Sequence, residues 1–458
     1  MSSLRGGETG SCPNCEKLQA LLAQAVERIA ALDKRVEELE REGHRQAARF
    51  RVPDKKRKTH KRKPGRPKGH PPAHRQPPPT VDECAEVPLA CCPDCGGPVH
   101  DVRPIVQVIE DIPKVVVHRL RLTTYRGSCD QCGTVHSTHP QQVSTATGAA
   151  GTHIGRNGLA LATDLNKHYG LTMRKTCAIL REHFGLTLTA GGLCQALTRI
   201  AHRLQPPFDD LCAAVRQSPV IHADETSWWL EGKSAWLWVF TNHELTRYAI
   251  DNRSQEVVRR ILGDDHPGVL VSDCLASYDP HPGRKSKCLA HHLKAISEAL
   301  DQAPDSQFLR EIRALLKAAI VLHSMRDELP PQRYWQTVAH LEQRADELLK
   351  PVHGHAAETR ISNRLRKQRA HLLTFLHVEG VDPTNNLAER QLRPAVIARK
   401  LSCGNKSQAG KAAFEVLASL AATCRQQGRS FALFAAGWLS LGLPPPPLFA
   451  PENPQADS

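Results

Sequence analysis

PVIHADETSWWLEGKSAWLWVFTNHELTRYAIDNRSQEVVRRILGDDHPGVLVSDCLASY, residues 219–278, is the stretch on which the reading of this chain turns. It opens on an apolar run that ends in acids, PVIHADET (219–226). SAWLWVFTN (234–242) and LTRYAIDN (245–252) follow, rich in aromatic and β-branched side chains, with a polar Asn-His-Glu turn between them. SQEVVRRIL (254–262) predicts a helix, and GVLVSDCLASY (268–278) a buried strand that again ends in an acid. The predicted order is β-β-β-α-β, with an Asp closing the first and the fourth strand. Side chains at strand ends are held rigidly at the sheet edge, where open α/β folds bind ligands.

A buried, unpaired acid is costly and needs a reason. Taken singly, Asp224 and Asp273 each read as loop residues capping a helix. Together, in this order, they read as metal ligands. A third acid, Glu389, lies in DPTNNLAERQLRP (382–394), which predicts a short helix opening on capping residues. Hard oxygen donors suit Mg²⁺ or Mn²⁺ and not Zn²⁺. Two such ions, about 3.5–4 Å apart, need bridging carboxylates. Asp224 is predicted to bridge, with Asp273 and Glu389 completing the two sites. Arg390, Arg393, Arg399 and Lys400 follow closely and are placed to hold phosphates.

Upstream, GLALATDLNKHYG, MRKTCAILREHFG and GGLCQALTRIAHRL are amphipathic segments separated by glycine turns, within 150–206. They read equally as a helix-turn-helix-like DNA-binding domain or as a helical spacer. Residues 84–140 carry Cys92-Pro-Asp-Cys95 and Cys129-Asp-Gln-Cys132 around VQVIEDIPKVVVHRLRLTTYRG, which reads as β-rich. That pattern predicts a small module with a structural, four-thiolate Zn²⁺ site, Cys91 being a competing ligand. Cys12 and Cys15 form a further CxxC of open role. Cys288 and His291 read either as metal ligands or as anchors of a helix beside the second Asp.

Residues 51–80 are Lys, Arg, His and Pro with almost no apolar side chains, a flexible linker in composition. Its Pro-Gly-Arg-Pro core, with Lys63, Arg66 and Lys68, suits phosphate contact or an A·T minor groove. Leu18, Leu22, Ala25, Ile29, Leu32, Val36 and Leu39 make a heptad seam at 16–42. That seam predicts a coiled-coil helix joining copies of the chain; an amphipathic helix packed on its own chain is the alternative. Residues 295–380 read as a helical insertion, 406–442 as a closing pair of helices, and 443–458 as a Pro-rich disordered tail.

The chain has 458 residues and a formal net charge of +14. Residues 1–80 hold 19 Lys and Arg against nine Asp and Glu, so most of the excess lies at the N-terminal end. A basic excess of that kind suits a polyanionic partner. No run of about 18 apolar residues suggests a membrane span, and no apolar h-region suggests export. With 15 Cys, several in CxxC pairs, the expected setting is the cytoplasm, at the nucleoid, and the thiols read as metal ligands.

IHADET, VLVSDCLASY, KCLAHHLKAI and NNLAERQLRP with Arg399-Lys400 beyond it resemble the transposases of the insertion-sequence-66 family. These are DDE enzymes with an RNase H-like core. The likeness takes in the N-terminal helix, the GRPKGH linker, the CCPDCGG segment and the helical region, nearly the whole chain. It implies a multidomain protein whose α/β RNase H-like core spans 215–405. It implies metal-dependent cleavage and transfer of double-stranded DNA, both element ends and target, with Asp224, Asp273 and Glu389 as the triad. Other element-encoded proteins are further candidate partners. The chain departs from the family at Leu289, where an aromatic is usual, and in LSCGNKSQAG (401–410), which lacks an aromatic pair. A catalytically spent DNA-binding regulator and a nuclease that hydrolyses without joining are the competing readings.

Overall fold

The computed structural model describes residues 78–112, 115–144, 153–441 and 443–449. The predicted coiled-coil helix, the Cys12–Cys15 pair, and Lys63, Arg66 and Lys68 of the linker lie outside these residues, as does the end of the tail. The chain divides into two units, Met1–Lys114 and Val115–Ser458. In the first, Cys92 N–H donates to Gly97 O at 2.9 Å and Gly96 N–H to Cys92 O at 2.8 Å, closing a tight turn. Gly96 adopts φ +72°, a conformation that disfavours a Cβ.

The second unit begins with a hairpin, β1 (Arg126–Cys129) and β2 (Gly133–His136). This corrects the β-rich reading of 84–140, because the described residues between 98 and 125 form no strand. A strand needs a second edge for its N–H and C=O groups. Here Ile105, Val106 and Ile109 stay exposed.

Helices α1 (Arg156–Lys167), α2 (Met173–Phe184), α3 (Ala190–Arg203) and α4 (Gln205–Gln217) lead into a five-stranded sheet. Its strands are β3 (Val220–Leu230), β4 (Lys233–Thr241), β5 (Thr246–Asp251), β6 (Val269–Ser272) and β7 (Arg284–Lys287), in the order β5-β4-β3-β6-β7. The β3-β4-β5 pairs are antiparallel and the β3-β6-β7 pairs parallel. Helix α5 (Gln255–Leu262) is the expected crossover before β6. Strand β7 was not expected, since RKSK has no apolar signature, yet Ser286 and Lys287 are buried in it. Asp224 also lies within β3 and not at its end.

Alternation on β3 and β4 sorts the two faces. Ile221, Ala223, Trp238 and Phe240 share a core with α1, α3, α4 and α5. Trp228, Leu237 and Val239 pack the other way, against Ala388, Leu392 and Ala395 of α12 (Asn386–Ser402). Between β7 and α12 come the helices of the insertion, α6 (Leu289–Leu300), α7 (Gln307–Ser324), α8 (Pro331–Leu349), α9 (Ala356–Lys367), α10 (Arg369–Leu372) and α11 (Thr374–His377). They enclose their own apolar cluster, which takes in Val269 and Val271 of β6. Helix α12 is longer than expected and runs through Pro394. The proline removes one N–H, and the carbonyl this frees belongs to exposed Arg390. Two more helices follow, α13 (Gln408–Gln426) and α14 (Phe431–Trp438). Among the described residues no helix is long and apolar enough to cross a membrane.

Strand β5 is a sheet edge, and α13 covers it with side chains one helical turn apart. Glu415 Oε1 accepts from Ile250 N at 2.6 Å, Ser419 Oγ from Tyr248 N at 2.8 Å, and Thr423 Oγ1 from Thr246 N at 3.1 Å. A helix advances about 6 Å in four residues and a strand about 6.8 Å in two, so the rows keep step. Ser419→Ala would orphan the Tyr248 N–H and is expected to cost about 1–3 kcal/mol. Denaturant melts, with faster amide exchange at Tyr248, check this; an unchanged melt would show the ladder contributes nothing.

Candidate active site

The parallel register sets the first two acids side by side. Val220 pairs with Val269, Ile221 with Leu270 and His222 with Val271. Carried two residues on, it brings Asp224 beside Asp273, the first residue past β6. The close approach depends on Gly268, where a Cβ would lie 2.2 Å from Ser218 O. Asp224 Oδ1 accepts from Glu225 N at 2.9 Å, and Asp273 Oδ1 from Leu275 N at 2.8 Å. Glu389 stands in the first turn of α12.

One buried residue, through its side chain and its backbone, ties the three supports together. Asn385 Nδ2 donates to Ala223 O, beside Asp224, at 2.7 Å. Asn385 N donates to Cys288 Sγ at 3.1 Å, and Cys288 N to Ser272 O, beside Asp273, at 2.9 Å. Asn385 O accepts from Glu389 N at 3.2 Å. Because the Asn385 amide nitrogen is spent on Ala223, its oxygen faces His222 Nδ1 at 3.3 Å as acceptor, and the imidazole carries its proton there. Burial pushes His222 down to about 4, against the pull of Asp382. His222 is therefore neutral near pH 7, and its 3.7 Å approach to Asp382 Oδ2 is no ion pair. Of the open roles for Cys288, the anchoring one is what the geometry displays.

Burial raises the Asp224 carboxyl to about 7, helped by the charges of Glu225, Asp273 and Glu389 and opposed by the Glu225 N–H. Asp273 and Glu389 thus both lie within electrostatic reach of Asp224. Glu225 is a further acid that the sequence reading missed. It faces away from Asp224, where Arg253 Nη2 donates to Oε1 at 2.7 Å and the Tyr278 hydroxyl to Oε2 at 2.7 Å. Burial, with the Glu225 charge, holds the Tyr278 phenol well above its ordinary range. Lys287 was missed too: its fully buried ammonium donates to Asp273 O at 3.0 Å and Ser272 Oγ at 3.2 Å. Burial lowers its pKa, against the pull of Asp279. The only sequence signal for it is its place beside Cys288.

Arg390, Arg393 and Lys400 are exposed on α12. At 3.6 residues per turn, Glu389, Arg393 and Lys400 share an edge of that helix. Arg399 is different: its Nη1 donates to Ser227 Oγ at 2.6 Å and Thr226 Oγ1 at 3.2 Å, pinning α12 to β3. Leu289 is wholly buried in the insertion's core, and its N–H donates to Pro383 O at 2.9 Å, so it packs and anchors.

Among the described residues, no group of three or more His, Cys, Asp or Glu side chains is close enough to hold a metal ion as it stands. Of the four cysteines expected to bind zinc, Cys92 and Cys95 lie in the first unit of the chain and Cys129 and Cys132 in the second. Each pair makes its own turn. In each turn the first thiol is lowered by backbone N–H groups, Cys92 by those of Cys95 and Asp94 and Cys129 by those of Cys132 and Gln131. The carboxylates fit Mg²⁺ or Mn²⁺ by donor chemistry. They are hard oxygens, they make no ion pair among the described residues, and their mutual repulsion is what a dication relieves.

A model of the family described as Transposase IS66 family matches residues 152–413, the span that contains all three acids. A protein of Sinorhizobium fredii described as uncharacterized protein y4jD is 22% identical over 388 residues, covering 76% of this chain and 74% of that one. With more than half its length matched, this chain belongs to the IS66 family of transposases.

Proposed function

We propose that the chain cuts and joins DNA at Asp224, Asp273 and Glu389, within an RNase H-like core formed by the mixed sheet. The observation that carries this reading is geometric: strand register sets Asp224 beside Asp273, and Asn385 joins the turn before Glu389 to the backbone next to Asp224, where burial and the neighbouring acids raise its carboxyl to about 7. Protein interiors avoid such clusters unless a cation or a reaction uses them. When bound between these residues, Mg²⁺ or Mn²⁺ would polarise the phosphodiester and favour deprotonation of the attacking water or 3′-hydroxyl. The chain's own part is to hold the oxygens in place. Asn385 ties the three supports together, Lys287 fixes the Asp273 backbone, and Arg393 and Lys400 flank Glu389 on the side open to a polyanion. The heptad helix at 16–42 would join copies of the chain, and the basic linker would add contacts to phosphates.

The test mixes purified full-length protein, labelled element-end DNA and Mg²⁺. Cleaved and strand-transferred products are expected, and none with the metal chelated. Bound but uncut DNA under all divalent conditions would favour a spent regulator, and cleavage without joining would favour a nuclease.

A further inference from the structure

Beside the second half of α12, floored by Trp228, Tyr248 and Phe414 of the core, lies a cavity of about 810 Å³ that the catalytic reading leaves unused. Its walls are the α1–α2 turn, the second half of α12 and the chain leading into α13. Lys167, Arg174, Lys406 and Arg425 line it, and no Asp or Glu does. Arg425 is engaged, donating to Gln391 Oε1 at 2.6 Å. No hydrogen bond or ion pair among the described residues reaches the Lys167 ammonium, which sits 5.4 Å over the Phe414 ring. Half-buried there, it is held down to about 8 by desolvation. Helix α2 starts in this wall with no acid in its first turn, its N-terminus capped by the Thr172 hydroxyl, which accepts from Lys175 N at 3.3 Å. Apolar surface completes the cavity. Tyr169 is 64% exposed, Ile397 57% and Leu401 51%, far from the usual state of such side chains on a folded domain.

Positive charge on one side and an exposed aromatic and aliphatic surface on the other suit an anion that carries a flat apolar group. We propose that this cavity takes an unpaired nucleotide of DNA, with its base against Tyr169, Ile397 and Leu401 and its phosphate on Lys167, Arg174 and Lys406. The inference rests on DNA being the substrate of the carboxylate site. Ile397 and Leu401 lie eight and twelve residues past Glu389, about 12–18 Å along the helix and roughly a third of a turn round it. At about 3.4 Å of rise per nucleotide, that is the reach of a few nucleotides from the cut.

The experiment uses the full chain and a short single-stranded DNA carrying iododeoxyuridine, crosslinked by light and mapped by mass spectrometry. Crosslinks are expected on Tyr169 or on the 394–402 segment. Lys167→Glu with Lys406→Glu is expected to weaken single-strand binding about tenfold and to flatten its log–log salt slope by about 1.4, two contacts at about 0.7 each. Lys167→Gln, with an unchanged melt, guards against misfolding, and Lys317→Glu, on the exposed face of α7, is the charge control. A deoxynucleotide should compete better than inorganic phosphate. Crosslinks found only elsewhere, wild-type binding by a folded Lys167 variant, or equal competition by phosphate would each overturn the nucleotide site. Cleavage is read in parallel. Crosslinking at the cavity without cleavage by the wild type would sink the catalytic reading alone, and cleavage without crosslinking there would sink this one alone.

Discussion

Asp224→Asn is expected to reduce metal-dependent cleavage of element-end DNA by about a thousandfold or more, some 4 kcal/mol of transition-state stabilisation. Binding of uncut DNA should be unchanged, because the substitution removes a metal-binding oxygen and no basic contact. The same variant carries a second, independent signature. In the folded protein the Asp224 carboxyl titrates near 7, against an ordinary 3.8. A raised carboxyl contributes stability below the unfolded value and loses it as pH climbs through the folded one. Without metal, the wild type should therefore lose stability between about pH 4 and pH 7, and the Asn variant should not. At pH 8 the variant is expected to be the more stable by about 1–2 kcal/mol, after allowance for partial exposure. Mg²⁺ should narrow the gap. Identical pH dependence of the two melts would mean that the acids do not crowd one another, and the cluster would lose its meaning. Asp273→Asn and Glu389→Gln should match the loss of cleavage.

Asn385→Ala is expected to be the most damaging change outside the acids themselves. It deletes the amide that joins Ala223 O to the turn preceding α12, and leaves the His222 Nδ1 proton without an acceptor. Each buried orphan costs about 1–3 kcal/mol, so a loss of about 2–4 kcal/mol in stability is expected. The larger effect is on chemistry. A displacement of about 1 Å at a reacting centre costs on the order of a hundredfold, and the Asn385 amide joins the turn that leads to Glu389 to the backbone beside Asp224. At a temperature well below the melt, turnover should fall on that scale. The Mg²⁺ midpoint should rise, and affinity for uncut DNA should hold. A merely structural amide would lower the melt and leave the Mg²⁺ midpoint in place. Asn385→Asp, which keeps the oxygen for His222 and adds a fourth charge, should raise that midpoint less than Ala does.

Much of this was written in local patterns. Apolar runs ending in acid placed Asp224 on a strand and Asp273 just past one, aromatic alternation placed β4 and β5, and VVRRIL announced α5. Those signals survive because burial on one face imposes a period that neighbouring residues report. Strand β7 left no such trace, since RKSK is buried through Ser286 and Lys287, whose ammonium is satisfied by Ser272 and Asp273 O. The apolar run of 106–122 misled for the opposite reason, having the pattern of strands and no partner edge among the described residues.

Composition and spacing alone pointed to a mixed α/β order and singled out three acids for a common site. Only the tertiary structure placed Asp273 and Glu389 within electrostatic reach of Asp224, bonded Arg399 to Ser227 and Thr226 of β3, and bonded Asn385 to Ala223 O. Asn385 and Ala223 stand 162 residues apart, and nothing in a window of sequence connects them. Periodicity reports how each segment meets water; strand register and the folding back of α12 decide which distant groups meet each other.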